Sequence, residues 1–223
     1  MSALWPSMLR VRRADGEPDV VLRALRGRDR VQWEALRAAN QDWLMPWEAT
    51  LPWRPDSGPL GQLRFGQLVR SYDRDANRAV LQPFCIEVGG RLVGQMHLTR
   101  IEWGSVLGGK AGYWVAREAA GRGVASTALA ALVDHAFLGI GLHRVSVEVR
   151  PDNAASLRVV RRLGFRHEGT QRRAMHIAGE WRDLSAFAMT VEDLDGASLV
   201  AKWNALRSAS APVAEGGDRR AGQ

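Results

Sequence analysis

Two glycines, one residue apart, stand where a short strand is expected to give way to a helix. The stretch runs from Gly112 to Leu138 and reads GYWVAREAAGRGVASTALAALVDHAFL. Gly112 to Val115 is aromatic and β-branched, which favours a strand. Arg117 to Gly123 is the loop. From Val124, Ala125 and Ser126 onward, Leu129, Leu132, Val133, Ala136 and Phe137 recur at three and four residues, so one face of a helix is apolar. The first amides of a helix have no partner inside it, and the positive end of the helix dipole lies beside them. Gly121 and Gly123 let a ligand approach without a Cβ in the way. Ala125 and Ser126 keep the first turn open. Such a site suits a phosphate or pyrophosphate. The plainer alternative is a glycine-containing turn that only joins two elements.

Two familiar phosphate loops do not fit. A nucleoside-triphosphate loop needs Gly-Lys-Ser/Thr, and no such triplet occurs. A dinucleotide loop needs a third glycine where Ser126 stands.

The rest of the chain must hold this loop. Val20 to Leu25 reads as a strand, and Asp29 as the N-cap of a helix from Arg30 to about Asn40. Trp43 begins an aromatic loop that reaches Trp53 and Pro55. A second helix is expected over Leu63 to Asp75, ending near Asn77. Phe84 to Val88, Gly89-Gly90 and Leu92 to Leu98 form a hairpin. After the main helix, His143 to Arg150 alternates, with Val145, Val147 and Val149 on one side. Asn153 can cap a helix to Leu163, and Gly164 stops it. Phe165 starts another strand, Gly179-Glu180 turns, and Leu184 to Thr190 closes the sheet. A last amphipathic helix is expected over Leu194 to Leu206. Residues 1–19 read as a loose arm, 20–207 as one domain and 208–223 as a disordered tail. Strands mixed with helices make an α/β or α+β domain.

Composition sets limits. The chain has 223 residues, enough for one substantial core, and 46% are hydrophobic. No apolar run approaches a membrane span, and Met1 to Arg13 lacks the apolar centre of a secretory signal. Cys85, the single cysteine, cannot pair within the chain and reads as a buried small residue. These features point to the cytoplasm. The net charge is +7. Lysine occurs only at 110 and 202, so arginine carries nearly all of the positive charge. A basic surface can attract nucleic acid or phosphorylated cofactors, or it can simply be solvated. His97, His135, His143, His167 and His176 are scattered without zinc-ligand spacing, so no metal is expected.

A third loop pattern fits better. AGRGVA, Ala120 to Ala125, resembles the acyl-CoA loop of the GCN5-related N-acetyltransferase (GNAT) superfamily, Gln/Arg-x-x-Gly-x-Gly/Ala. Gly123 and Ala125 match its last two fixed positions, and Ala120 departs from the first. RPDNAASLRVVRRLGF, Arg150 to Phe165, resembles the Pro-x-Asn-x-x-Ser…Gly-Phe signature of the branch that contains the ribosomal-protein alanine N-acetyltransferases. WLMPWEATLP, Trp43 to Pro52, is similar to that branch's aromatic loop. HIAGEWRD, His176 to Asp183, is similar to its terminal hairpin.

The resemblance implies an α/β fold with a mixed, splayed central sheet of about seven strands. Acetyl-CoA would lie in the gap between the strands at Gly112 and Val145. The implied cofactor residues are Val115, Gly121, Arg122, Gly123, Val124, Ala125, Ser126, Asn153 and Ser156, with Arg117 and Arg158 as further phosphate partners. The implied reaction is attack of a neutral amine on the acetyl thioester, with a base to take the proton. Ser156 would face the CoA sulfur and help the thiolate leave. Many relatives instead carry a tyrosine at the place of Val160. A related enzyme's glutamate falls on Met175, which cannot take a proton. Glu148 is the substitute base, with Glu102 and His176 behind it. The acceptor would be a protein N-terminus, alanine of a ribosomal protein in the first instance. The alternatives are a small-molecule amine, or a CoA-sensing or RNA-binding module without turnover.

Overall fold

The structure, a computed structural model, describes residues 5–53 and 63–209. Pro55 and the expected tail beyond Ala209 lie outside them. The strands are β1 (Met8–Val11), β2 (Val20–Ala24), β3 (Leu81–Val88), β4 (Arg91–Glu102), β5 (Gly108–Val115), β6 (Arg144–Val149), β7 (Arg166–Ile177) and β8 (Glu180–Thr190). The helices are α1 (Arg30–Ala39), α2 (Gln41–Leu44), α3 (Phe65–Asn77), α4 (Val124–Asp134), α5 (Ala154–Arg162) and α6 (Leu199–Ala209).

The eight strands form one mixed sheet in the order β1-β2-β3-β4-β5-β6-β8-β7. Every neighbouring pair is antiparallel except β5 and β6. That parallel pair runs from Gly108 opposite Arg144 to Ala111 opposite Val147 and then stops. Beyond it, Gly112–Val115 has no partner strand on the β6 side, so the sheet opens there. The gap lies between the two strands that the resemblance named, but beyond Ala111 and Val147; Val145 itself is paired with Gly109.

Local chemistry explains most elements. Gly89 and Gly90 both have positive φ, +56° and +78°, as the tight hairpin turn between β3 and β4 requires. The valines of β6 are buried and alternate with half-buried residues. The main core lies between the sheet, α4 and α6, around Phe84, Met96, Leu129, Leu132 and Trp203. A second cluster seats α3 on the other face through Phe65, Leu68 and Tyr72 against Cys85 and Leu92.

Three expectations are corrected. First, the sheet has eight strands rather than about seven, because Met8–Val11 within the expected arm pairs with β2. Four residues are too few to show a pattern of their own. Second, the last helix begins at Leu199 rather than Leu194. The Asp134 carboxylate, at the end of α4, accepts from Leu199 N–H (2.7 Å) and Val200 N–H (3.0 Å) and caps it from outside. Third, Asp29 does not cap α1 with its side chain. Its carboxylate accepts from both terminal nitrogens of the Arg23 guanidinium, at 2.8 and 3.0 Å, and from the Arg26 amide at 2.8 Å.

That buried clamp has a pH signature. Burial alone would raise the Asp29 pKa. The Arg23 hydrogen bonds, the Arg26 amide and the nearby guanidinium charge outweigh it and hold the carboxyl below the usual range. A depressed folded pKa means the contribution is complete above the unfolded value and is lost as pH falls through the folded one. Asp29→Asn is expected to cost about 3 kcal/mol at neutral pH, since it leaves half-buried Arg23 with Glu87 as its remaining carboxylate. The deficit should shrink as pH drops below about 4, read from urea midpoints across that range.

Candidate active site

The loop ahead of α4 is held from behind. Gly121 and Gly123 adopt φ of +77° and +76°. The carbonyl between them, Arg122 O, accepts from Arg13 Nη2 at 2.6 Å and from Arg207 Nη1 at 3.5 Å. In a trans peptide the C=O and N–H point in opposite directions. Anchoring Arg122 O on two guanidiniums therefore turns the Gly123 N–H away from them. The first backbone bond of the helix is Thr127 N–H to Gly123 O, 2.9 Å, so the amides of Val124, Ala125 and Ser126 belong to the unpaired first turn.

Those residues face a cavity of about 370 Å³. Val115, Gly121, Gly123, Val124, Ala125, Ser126, Asn153 and Ser156 line it, together with Ala120, Trp43, Arg158 and Arg162. Arg158 and Arg162 sit one turn apart on α5, both exposed. They bring positive charge to the cavity that the glycine loop also lines.

A second cavity of about 300 Å³ lies in the opening of the sheet. It is lined by Thr99, Lys110, Gly112, Glu148, Met175 and Leu184, among others. Trp47, Tyr113, Asn153 and Ser156 line both cavities. The two spaces therefore meet at these four residues. Asn153 caps α5 by accepting from Ser156 N–H at 3.0 Å, which fixes the first turn and places Ser156 at the junction.

The aromatic loop roofs this junction. Trp43 Nε1 donates to Val115 O at 3.0 Å, and the Arg117 guanidinium lies over the Trp43 ring at 5.2 Å. Arg150 lies over Trp47 at 4.9 Å and donates to Pro46 O at 2.6 Å. Thr50 N–H donates to His176 O, and Ala178 N–H donates to Glu48 O. These bonds tie the loop to the β7–β8 turn.

Several expected site residues fall elsewhere. Arg122 does not line the cavity, and its guanidinium pairs with Glu17 at 2.9 Å. A Cβ at Gly123 would land on the Arg207 guanidinium. The glycine at 123 therefore also makes room for the close approach of Arg207 on α6. Gly121 is the open one: a Cβ there meets nothing within 4 Å. Trp53 and Glu102 line neither cavity. His176 is not a cavity residue either, and its Nδ1 shares a 2.8 Å hydrogen bond with Thr50 Oγ1. Val160 is fully buried core. Cys85 is buried as expected, and burial pushes its thiol up to about 12.

Glu148 does lie in the second cavity, and its carboxylate is ion-paired with Lys110. Sequence reading missed Lys110, Tyr113, Arg162 and Asn40. Asn40 Oδ1 accepts from Arg117 N–H at 2.8 Å and pins the start of the loop. Tyr113 sat within the quoted strand, but only the register that sets it opposite Met96 shows where its side chain goes.

A mixed sheet that opens at its one parallel pair, with a glycine loop and helix at the opening, is the architecture of an acetyltransferase of the GNAT type. The Acetyltransferase (GNAT) domain model matches residues 19–166, and the chain belongs to that family. It is similar to a solved structure of Mycobacterium smegmatis RimJ in complex with CoA-disulfide, with 33% identity and a TM-score of 0.82. That match covers 93% of this chain and 98% of the other. It is 34% identical over 103 residues to the probable N-acetyltransferase YjcK of Bacillus subtilis (strain 168). The matched part is 46% of this chain and 57% of YjcK, so the chain spans little more than half of that relative's length. It is 27% identical over 177 residues to the [ribosomal protein uS5]-alanine N-acetyltransferase of Escherichia coli (strain K12), covering 78% of this chain and 89% of that one.

Proposed function

We propose that this protein is an acetyl-CoA-dependent N-acetyltransferase whose acceptor is a protein N-terminal amine, alanine of a ribosomal protein being the first candidate. The observation that carries this reading is the meeting of two cavities at Trp47, Tyr113, Asn153 and Ser156. One is lined by the unpaired first turn of a helix and by two arginines, and suits a diphosphate-bearing donor. The other reaches the junction from the acceptor side and holds a carboxylate. The relatives support the same reading, since one is bound to a CoA derivative and another is named for uS5 alanine.

Bound acetyl-CoA supplies an activated acetyl group. The amides of the α4 first turn grip its diphosphate, and Arg158 and Arg162 hold its remaining phosphate charge. Glu148 accepts the proton that the attacking amine sheds, directly or through one water. Lys110 fixes that carboxylate in the cavity. Ser156 donates a hydrogen bond toward the sulfur as it leaves. Trp47 closes the junction against bulk water.

Incubation with acetyl-CoA and peptides beginning with alanine is expected to give Nα-acetyl peptide and free CoA in equal amounts, measured by mass spectrometry and thiol release. Acetylation of small amines with no peptide product would reject the acceptor.

A further inference from the structure

The Tyr113 side chain is buried in a way its neighbours do not explain. Its ring is half-buried, because it walls both cavities. Its hydroxyl is sealed from solvent, yet it completes no hydrogen bond among the described residues. A buried hydroxyl left unpaired is destabilising, and native structures rarely keep one without a reason. Burial pushes the phenol up to about 12, against a smaller downward pull from a hydrogen-bond contact with the Ser156 hydroxyl. Ser156 is therefore the neighbouring partner at hand, but the pair as it stands does not meet hydrogen-bond geometry. The position that could carry a tyrosine acid on α5 holds Val160, which is in the core.

We infer that Tyr113 is a positioning residue that backs Ser156 in a two-hydroxyl relay. This inference rests on the acetyltransferase reading of the same site. When a donor fills the junction, the Ser156 hydroxyl swings to donate toward the donor's sulfur. Its oxygen then accepts from Tyr113 Oη, which gains the partner it lacks. A hydroxyl that accepts one hydrogen bond donates a stronger one. As the amine nitrogen bonds to the acetyl carbon, the carbon–sulfur bond breaks and its electron pair stays on sulfur. The relay stabilises that charge without giving up a proton. The amine's proton leaves through Glu148 to solvent, and the departed thiolate takes one from solvent.

Tyr113→Phe keeps the ring and removes the relay. The test is the ultraviolet titration of the thiolate of bound CoA, which needs no acceptor. The mutant is expected to raise the pH at which bound thiol ionises by about one unit, a tenfold loss of thiolate stabilisation. It should lower kcat by about tenfold with KM for acetyl-CoA unchanged. Its melting temperature should not fall, since an unpaired buried hydroxyl has been removed. Ser156→Ala is expected to do at least as much, and Tyr113→Phe should add nothing in that background. An unmoved titration in Tyr113→Phe, or effects that simply add, overturns the assignment while leaving the acetyltransferase reading intact. Failure of the wild-type protein to bind CoA at all overturns both.

Discussion

Replacing Gly123 by alanine is expected to lower stability and CoA affinity much more than the same change at Gly121. Both glycines have nearly the same positive φ, so each substitution carries the left-handed backbone penalty of about 1–2 kcal/mol. The difference lies in what the new Cβ meets. At Gly121 it meets open space. At Gly123 it meets the Arg207 guanidinium, with Cζ at 3.0 Å and Trp203 Cζ2 at 3.5 Å behind it. Arg207 must then leave its ion pair with Asp15 and its hydrogen bond to Arg122 O. Losing that partly buried pair brings the total to about 3–4 kcal/mol. Thermal melting should fall by about 10 °C for Gly123→Ala and by about 4 °C for Gly121→Ala. Calorimetric titration should show about 100-fold weaker CoA binding at position 123, because the displaced carbonyl no longer sets the Gly123 N–H. In an Arg207→Ala background the Gly123→Ala penalty should shrink, since the obstructing group is gone. Equal effects at 121 and 123 would show that the brace is idle.

Glu148→Gln is expected to lower kcat by about 100-fold with acetyl-CoA binding unchanged. Among the residues of the second cavity, Glu148 is the carboxylate. General-base assistance contributes roughly 10²–10⁴-fold. The loss should depend on pH in a defined direction. An α-amino acceptor has a pKa of about 8, so below that value most acceptor molecules are charged and need a base most. The mutant's deficit should be largest near neutral pH and smaller above about pH 9. A rate profile for wild type and mutant with one alanine peptide measures this. A deficit that is the same at every pH points to the Lys110–Glu148 pair as a structural tie across β5 and β6 rather than a base.

Features decided by local chemistry were legible in the sequence. The Gly89-Gly90 turn, the alternation of β6, the Asn153 cap and the glycine stop at Gly164 each depend on neighbours in the chain, and all are present. So was the lining of the cavity by Gly121 and by Gly123 to Ser126, because helix amides are orphaned wherever a helix starts. Most of the misses share one cause, residues far away in sequence; Asp29 is the exception, its competitor Arg23 lying six residues before it. Arg122 looked like a phosphate ligand until Glu17, 105 residues away, took its guanidinium. Asp29 looked like a cap until Arg23 competed for it. The start of α6 depends on Asp134, 65 residues earlier than Leu199. Tyr113 was read only as a strand residue, since burial of one hydroxyl depends on how α5 packs over β5. No pattern of residue types reports that.

The bracing of Arg122 O has a consequence for the order in which the molecule matures. Its two anchors come from opposite extremes of the described chain: Arg13 precedes β2 and Arg207 sits in the final helix. During synthesis α4 and the strands β1 to β5 emerge well before α6. A nascent chain lacking α6 would hold the glycine loop with one clamp of two, so the loop takes its fully braced form only after α6 has packed.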